Sequence, residues 1–230
     1  SAGTASYENN GNTISNNNIY DFTRHNVQSY GVHLGANTTA WSITDNSFYE
    51  TTSFNPQASV AWYPIYINNT SGVNFSVTGN YIGGSAASCG GSAWTKNNAR
   101  NNAFTAVYVN AGTGTASSIQ DNTIKNFSWS NSSNASWTGI SIVAGDANVG
   151  TSAGNAVGDT TGTGSVTVTS AATGNNFYGI SITTTGTVSC RNNGIGSITL
   201  PQVSGTNASN FYGIYKANAY DALEKLREKG

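Results

Sequence analysis

Tyr63-Pro64-Ile65-Tyr66-Ile67, followed ten residues on by Val77-Thr78-Gly79-Asn80-Tyr81-Ile82, is the stretch whose reading decides the fold. The first segment carries apolar residues at its third and fifth positions, the alternation of a strand with one buried face. The second sets an apolar residue, a turn built on Asn, and another apolar residue two positions later, which describes a strand, a sharp bend and a second strand. Both recur. The first returns as Tyr30-Gly31-Val32-His33-Leu34, Thr105-Ala106-Val107-Tyr108-Val109, Thr138-Gly139-Ile140-Ser141-Ile142, Tyr178-Gly179-Ile180-Ser181-Ile182 and Tyr212-Gly213-Ile214-Tyr215-Lys216, with starts 33, 42, 33, 40 and 34 residues apart. The second returns around Asn46, Asn122, Asn155 and Asn193, with an earlier copy around Asn17. From the start of each strand to its asparagine the distance is 16, 17, 17, 17 and 15 residues.

A fixed period of this kind marks stacked coils. Asn suits the bend because it tolerates left-handed backbone angles and its amide hydrogen-bonds locally. Stacked at about 4.8 Å, the side chains of Asn17, Asn46, Asn80, Asn122, Asn155 and Asn193 form an amide ladder inside the coil. About six coils make a rod on the order of 30 Å long. The unequal period is assigned to Gly83 to Arg100 and Ala144 to Thr163, stretches rich in Gly, Ser, Asn and Ala that are expected to bulge as loops. The chain thus reads as one all-β domain over residues 1–219, with a different element at 220–230.

Composition agrees. Asn, Ser, Thr and Gly supply about half of the 230 residues, yet 37% are hydrophobic and 11% aromatic, which disordered polar tracts lack. Charged residues are only 8%, with Lys+Arg 9 against Asp+Glu 10, so there is no basic field to hold nucleic acid. No window is apolar enough for a membrane span. Cys89 and Cys190 have no CxxC partner and no nearby histidine, which argues against zinc. A disulfide between them stays open beside the alternative of two isolated thiols.

The pairing of a Gly-Ile-x-Ile strand with an Ile-x-x-Asn-x-Ile bend resembles the right-handed parallel β-helix repeats of pectate-lyase-like proteins. Runs such as Asn17-Asn18-Ile19-Tyr20-Asp21-Phe22, Val77-Thr78-Gly79-Asn80-Tyr81-Ile82-Gly83-Gly84 and Asn210-Phe211-Tyr212-Gly213-Ile214-Tyr215 resemble long repetitive surface or secreted proteins of Bacteroidetes-type bacteria. The resemblance, over roughly residues 10–218, implies a single-stranded right-handed solenoid. It specifies no activity, since this architecture hosts lyases, hydrolases, adhesins and passive stalks alike.

The tail from Asp221 to Gly230 holds six of the chain's 19 charged residues. Asp221 suits an N-cap with Glu224 three residues on, acids come early and bases late, and Gly230 sits where a C-cap belongs. A short helix follows, whose Leu223 and Leu226 need a surface to cover. The last coil of a solenoid is such a surface, an edge prone to pairing with another chain. The tail matches idealised design practice and reads as an engineered cap ahead of a native capping helix or an expression scar. Capped, the chain is expected to be a monomer; uncapped, to associate end to end.

Catalysis on such a scaffold needs converging charged side chains. Asp45 and Asp121 precede ladder asparagines two coils apart, roughly 10 Å from one another. They are the best carboxylate pair in the repeat, set against a reading as solvated turn residues. Asp21, Glu50, Asp146 and Asp159 show no better placed partners. Lyase-type bases, Arg24, Lys96, Arg100, Lys125 and Arg191, are scattered, and no Gly-x-Ser-x-Gly elbow occurs. His33 occupies the outward position of the first strand, in the row of Tyr66, Tyr108, Ser141, Ser181 and Tyr215, and His25 a turn. The tyrosines of that row, with Trp41, Trp62, Trp94, Trp129 and Trp137 where exposed, suggest an aromatic sugar-binding groove; ring stacking between coils is the alternative.

The sequence therefore points to a non-catalytic structural or adhesin-like segment of a larger secreted or cell-surface bacterial protein, with no cofactor and no metal site. Its expected partners are surface glycans or other proteins. A carbohydrate-active enzyme fragment, lyase or hydrolase, and a carbohydrate-binding module are the alternatives.

Overall fold

A computed structural model of the chain describes residues 9–97, 100–171, 174–201 and 209–217, and it is a parallel β-solenoid. Sheet 1 stacks the six Gly-Ile strands, Ser29–Leu34, Trp62–Asn69, Phe104–Ala111, Trp137–Ala144, Asn176–Ile182 and Asn210–Lys216. Sheet 2 stacks Thr13–Ser15, Ser42–Thr44, Ser76–Thr78, Ser117–Gln120, Ala147–Val149 and Val188–Cys190. Sheet 3 stacks Asn18–Tyr20, Ser47–Tyr49, Tyr81–Ile82, Thr123–Ile124, Ala156–Gly158 and Gly194–Gly196. The arrangement fits a right-handed coil, the hand that parallel crossovers take in about 98% of cases.

In-register stacking turns the sequence alternation into columns. Ile65, Val107, Ile140 and Ile180 pair in sequence along sheet 1 and are fully buried, as are Ile43, Ile119 and Val149 along sheet 2 and Phe48, Ile82 and Ile124 along sheet 3. The fifth-position column, Leu34 to Ile182, ends at Lys216, whose Nζ donates to the Thr184 carbonyl at 2.6 Å. A charge at an inward position of a terminal rung is one way in which natural sheets blunt an edge. Gly179 shows why the second residue of these strands stays small. A β-carbon there would sit 2.5 Å from the Gly213 carbonyl and 2.8 Å from Ile195.

The asparagine ladder is present and complete. Each Nδ2 donates to the Oδ1 of the next coil, Asn17 to Asn46, Asn46 to Asn80, Asn80 to Asn122, Asn122 to Asn155 and Asn155 to Asn193, at 2.8–3.0 Å. The same Oδ1 accepts the main-chain N–H of the preceding asparagine at 3.0–3.1 Å. The second Nδ2 proton reaches back one coil, from Asn46 to Ile14 O, Asn80 to Ile43 O, Asn122 to Val77 O and Asn155 to Ile119 O, at 2.8–2.9 Å. Two donors and two acceptor sites are thus all used, which lets four buried amides sit in an apolar core.

The reason for the asparagine differs from the one its sequence context suggests. The left-handed residue is the one before it: Asn16, Asp45, Gly79, Asp121 and Asn192 have φ between 53° and 69°. The ladder residue itself is there for its amide.

The two expected loops are partly strand. Ala147–Val149 and Ala156–Gly158 continue sheets 2 and 3, and Trp94–Lys96 opens a fourth sheet with Phe127–Asn131, Val166–Ser170 and Ile198–Thr199. Lys96 disguised that strand, because it places a charge at an inward position. Rings from this sheet meet those beginning the sheet 1 strands: Trp94 lies 5.7 Å from Phe104, Phe104 lies 4.9 Å from Trp129, and Phe127 lies 5.3 Å from Trp137. The C-terminal helix proposed over Asp221, Leu223, Glu224 and Leu226 lies outside the described residues, as does the whole of 220–230.

Asn80→Ala is expected to strip partners from Asn46 N–H, Asn46 Nδ2 and Ile43 O together, destabilising the chain by about 3 kcal/mol or more in urea unfolding. Asn17→Ala, at the exposed end, should cost about 1 kcal/mol or less. Equal effects at the two positions would contradict a ladder whose energetics come from burial.

Candidate functional site

The fourth residue after each ladder asparagine is where the coil leaves sheet 3, and in the first two coils it is acidic. Asp21 follows Tyr20 and Glu50 follows Tyr49; these tyrosines are register partners, their rings stack at 5.2 Å, and Asp21 N–H donates to Tyr49 O at 3.2 Å. Stacking therefore puts the two carboxylates on successive rungs. They line a cleft of about 530 Å³ with Thr23, His25, Thr52, Ser53, Phe54, Asn55 and Gln57. The loop from 51 to 58 closes one side and is stitched to its neighbour by Gln57 N–H to His25 O at 2.7 Å.

The two acids differ in surroundings. Asp21 is exposed and accepts from Thr51 N–H at 2.8 Å and from Thr51 Oγ1 at 2.8–2.9 Å. Glu50 is only 5% exposed. Burial pushes its carboxyl up to about 7, with the Asp21 charge adding to the rise and the Thr23 N–H, donating to Oε1 at 2.9 Å, opposing it. The Thr23 hydroxyl, itself buried, faces the same carboxyl and also holds its pKa down. His25 Nδ1 lies 2.6 Å from Asn55 O, and since a carbonyl only accepts, that nitrogen carries the proton. Arg24 lines the adjoining part of the cleft.

The residues singled out from sequence are distributed differently. Asp45 and Asp121 are left-handed turn residues with φ of 55° and 53°, one coil apart from Gly79 on either side, and Asp45 leans over that glycine. Among the described residues they join no further acid, base or cleft. Lys125 pairs with Asp159 at 3.1 Å. Both cysteines are free thiols: burial raises Cys89 to about 11, and Cys190 fills an inward position of sheet 2. Among the described residues no group of three His, Cys, Asp or Glu side chains is placed to hold a metal ion.

The outward aromatic row stacks on itself. Tyr66 and Tyr108 stack at 4.6 Å, Tyr30 and Tyr63 at 5.8 Å, Tyr178 and Tyr212 at 5.0 Å, and His33 stacks on Tyr30 at 4.6 Å. Tyr215 lies tilted against Tyr178 at 5.3 Å. These faces are turned to one another, and partial burial raises the Tyr63 hydroxyl to about 12. Trp62, Trp94, Trp129 and Trp137 are core residues at 0–1% exposure, so only Trp41 among the tryptophans reaches the surface, in part.

Lys96 is the other buried ion-forming group, 1% exposed. Its Nζ donates to Arg100 O at 2.7 Å, to Asn131 Oδ1 at 3.0 Å and to Ser130 O, and lies 5.6 Å from the Trp129 ring. Burial pulls its ammonium down to about 7.

The acidic cleft was within reach of the sequence. Aligned on Asn17 and Asn46, Asp21 and Glu50 fall at the same position of consecutive coils; reading the acids singly hid the pair. Comparison with protein-family models, curated proteins and solved structures finds no match.

Glu50 and Lys96 together predict an unusual pH profile. Between 4.5 and about 7 the unfolded chain releases the Glu50 proton while the folded chain keeps it, so stability falls as pH rises, by on the order of 2 to 3 kcal/mol. Between about 7 and 10.5 the unfolded chain keeps the Lys96 proton while the folded chain releases it, so stability rises again. Thermal melts across this range should dip near neutrality. Glu50→Gln should flatten the acid limb and Lys96→Met the alkaline one; a maximum near pH 7 in the unmodified chain would contradict both assignments.

Proposed function

We propose that this chain is a structural, adhesin-like β-solenoid segment of a larger secreted or cell-surface bacterial protein, a stiff spacer and not a catalyst. The observation that carries the reading is the unbroken ladder through six coils, with apolar columns in register on three sheets. A core built this way resists shear along its axis, because extension requires many buried amide and main-chain hydrogen bonds to fail together. The parts that vary between coils lie outside the ladder, where loops present surface to glycans or proteins. The reading is tested with a panel of neutral and uronate polysaccharides: no new reducing ends and no unsaturated products are expected.

One observation favours a second reading, a carbohydrate-active enzyme. Asp21 and Glu50 stand on successive rungs in one cleft, and Glu50 keeps its proton near neutrality, as a general acid must. Turnover of any polysaccharide in the panel that disappears in both Asp21→Asn and Glu50→Gln would replace the spacer reading with this one.

The described C-terminal strand supports the expected end-to-end behaviour. Among the described residues Asn210–Lys216 pairs on one side only, and Phe211 and Ile214 are 51% and 54% exposed. An apolar strand edge of that kind recruits another chain unless covered. If residues 221–230 act as a cap, native or engineered, removing them should convert a monomer to a species whose mass grows with concentration in light scattering. An unchanged monomer would contradict the capping role.

A further inference from the structure

We infer that the tyrosine pairs stacked between coils are sites of oxidative cross-linking, where a haem peroxidase using hydrogen peroxide joins adjacent rungs through dityrosine. The inference holds for a spacer and for an enzyme alike, because it rests on how the coils place their phenols. Four pairs of tyrosines are register partners on successive rungs, and in all four the rings stack. Tyr20 and Tyr49 lie 5.2 Å apart with their planes at 10°, and Tyr30 and Tyr63 5.8 Å apart at 16°. Tyr66 and Tyr108 lie 4.6 Å apart at 17°, and Tyr178 and Tyr212 5.0 Å apart at 11°. These pairs take up eight of the ten tyrosines among the described residues, so the pairing is a property of the repeat. Stacking alone does not call for a phenol: Phe211, 51% exposed, stacks on Phe177 at 5.5 Å without one.

A second, separate observation is what else in the chain an oxidant could attack. The sequence contains no methionine. Cys89 is 6% exposed with its thiol raised to about 11, and Cys190 is half-buried at an inward position of sheet 2. Thiols held in the protonated form away from solvent are poor targets. Four of the five tryptophans are closed into the core. Tyr20, by contrast, is 54% exposed, and every other member of the four pairs is partly exposed. An oxidant in solution therefore meets the paired phenols first.

In the step itself each phenol gives up one electron and its hydroxyl proton, and the two phenoxyl radicals couple through ring carbons ortho to oxygen. The two ortho C–H protons then move to the oxygens as the rings regain aromaticity. The peroxide takes both electrons and both released protons, so two tyrosines and one hydrogen peroxide give one dityrosine and two waters. Radicals held one rung apart in stacked geometry couple with each other ahead of radicals on separate molecules. The new bonds close loops of 29, 33, 42 and 34 residues between successive coils. Such a closure restricts the unfolded chain as a disulfide does, in a protein whose two cysteines are both free.

The test treats the dilute full chain with a haem peroxidase and hydrogen peroxide, then reads dityrosine fluorescence, intact mass and, after denaturation, tryptic peptides. Trypsin separates the partners of three pairs, because cuts after Arg24, Lys96, Lys125 and Arg191 part Tyr20 from Tyr49, Tyr66 from Tyr108 and Tyr178 from Tyr212. The expected product is a monomer lighter by two hydrogen atoms per bond, with at least one of these peptide pairs joined and a higher urea midpoint than the untreated chain. Tyr81, 39% exposed but in register with Ser47 and Thr123, is the internal control and should stay uncoupled. Tyr108→Phe keeps the stacked ring, so it should leave the urea midpoint of the untreated chain in place and the Tyr20 to Tyr49 link intact while removing the link to Tyr66. Oxidation in concentrated urea should lose the intramolecular product. Covalent oligomers in place of a cross-linked monomer, oxygen added to the rings without coupling, or Tyr81 coupling as readily as the paired tyrosines would overturn the assignment.

Discussion

A polar side chain can enter an apolar core only if every one of its hydrogen-bonding groups finds a partner there, and the solenoid depends on meeting that condition at one position per coil. The amide of Asn80 meets it by giving one proton to Asn122 and one to Ile43 O while its oxygen takes two from Asn46. No other short side chain has two donors and a two-lone-pair acceptor at this length. Asp lacks the donors and Ser lacks one of them, so the turn preceding the amide tolerates Asn, Asp or Gly while the amide position does not vary. The ladder also transmits register. A coil that slipped by one residue would lose both amide contacts and turn its apolar columns outward.

Around that spine the core is filled unevenly. The fourth sheet runs through coils of both the long and the short period and returns large rings to the interior. Trp94, Phe127 and Trp129 meet Trp62, Phe104 and Trp137 in one aromatic cluster. The fourth sheet enlarges the core's cross-section. Lys96 enters the same layer by laying its stem among the rings and tying its ammonium to oxygens of 100, 130 and 131, the usual terms on which a buried cation is admitted.

Much of this was legible in the sequence, and the part that was not has physical causes. The strands of sheets 1 to 3 follow from alternation at a fixed spacing from an asparagine, and the six ladder residues were readable by number. The fourth sheet was hidden because Trp94-Thr95-Lys96 alternates correctly only if a lysine is allowed inside. Sequence alone does not separate the two reasons for the asparagine, because left-handed tolerance and amide capacity belong to the same residue type, and only the φ values distinguish Asp45 from Asn46. The cleft at Asp21 and Glu50 escaped because chemistry in a solenoid is assembled across coils: residues 29 apart in sequence become neighbours one rung apart. The aromatic row was visible, but whether its rings face solvent or each other depends on rotamers that spacing does not encode.

The buried amides of the ladder are the most tightly held groups in the molecule if they are the spine of the fold. Amide hydrogen exchange by NMR measures this directly. The main-chain N–H and side-chain Nδ2 protons of Asn46, Asn80, Asn122 and Asn155 should exchange only by global unfolding, with protection declining toward Asn17 at one end and Asn193 at the other. Side-chain amides of these four residues that exchange as fast as those of exposed asparagines such as Asn12 would contradict the ladder as the spine of the fold.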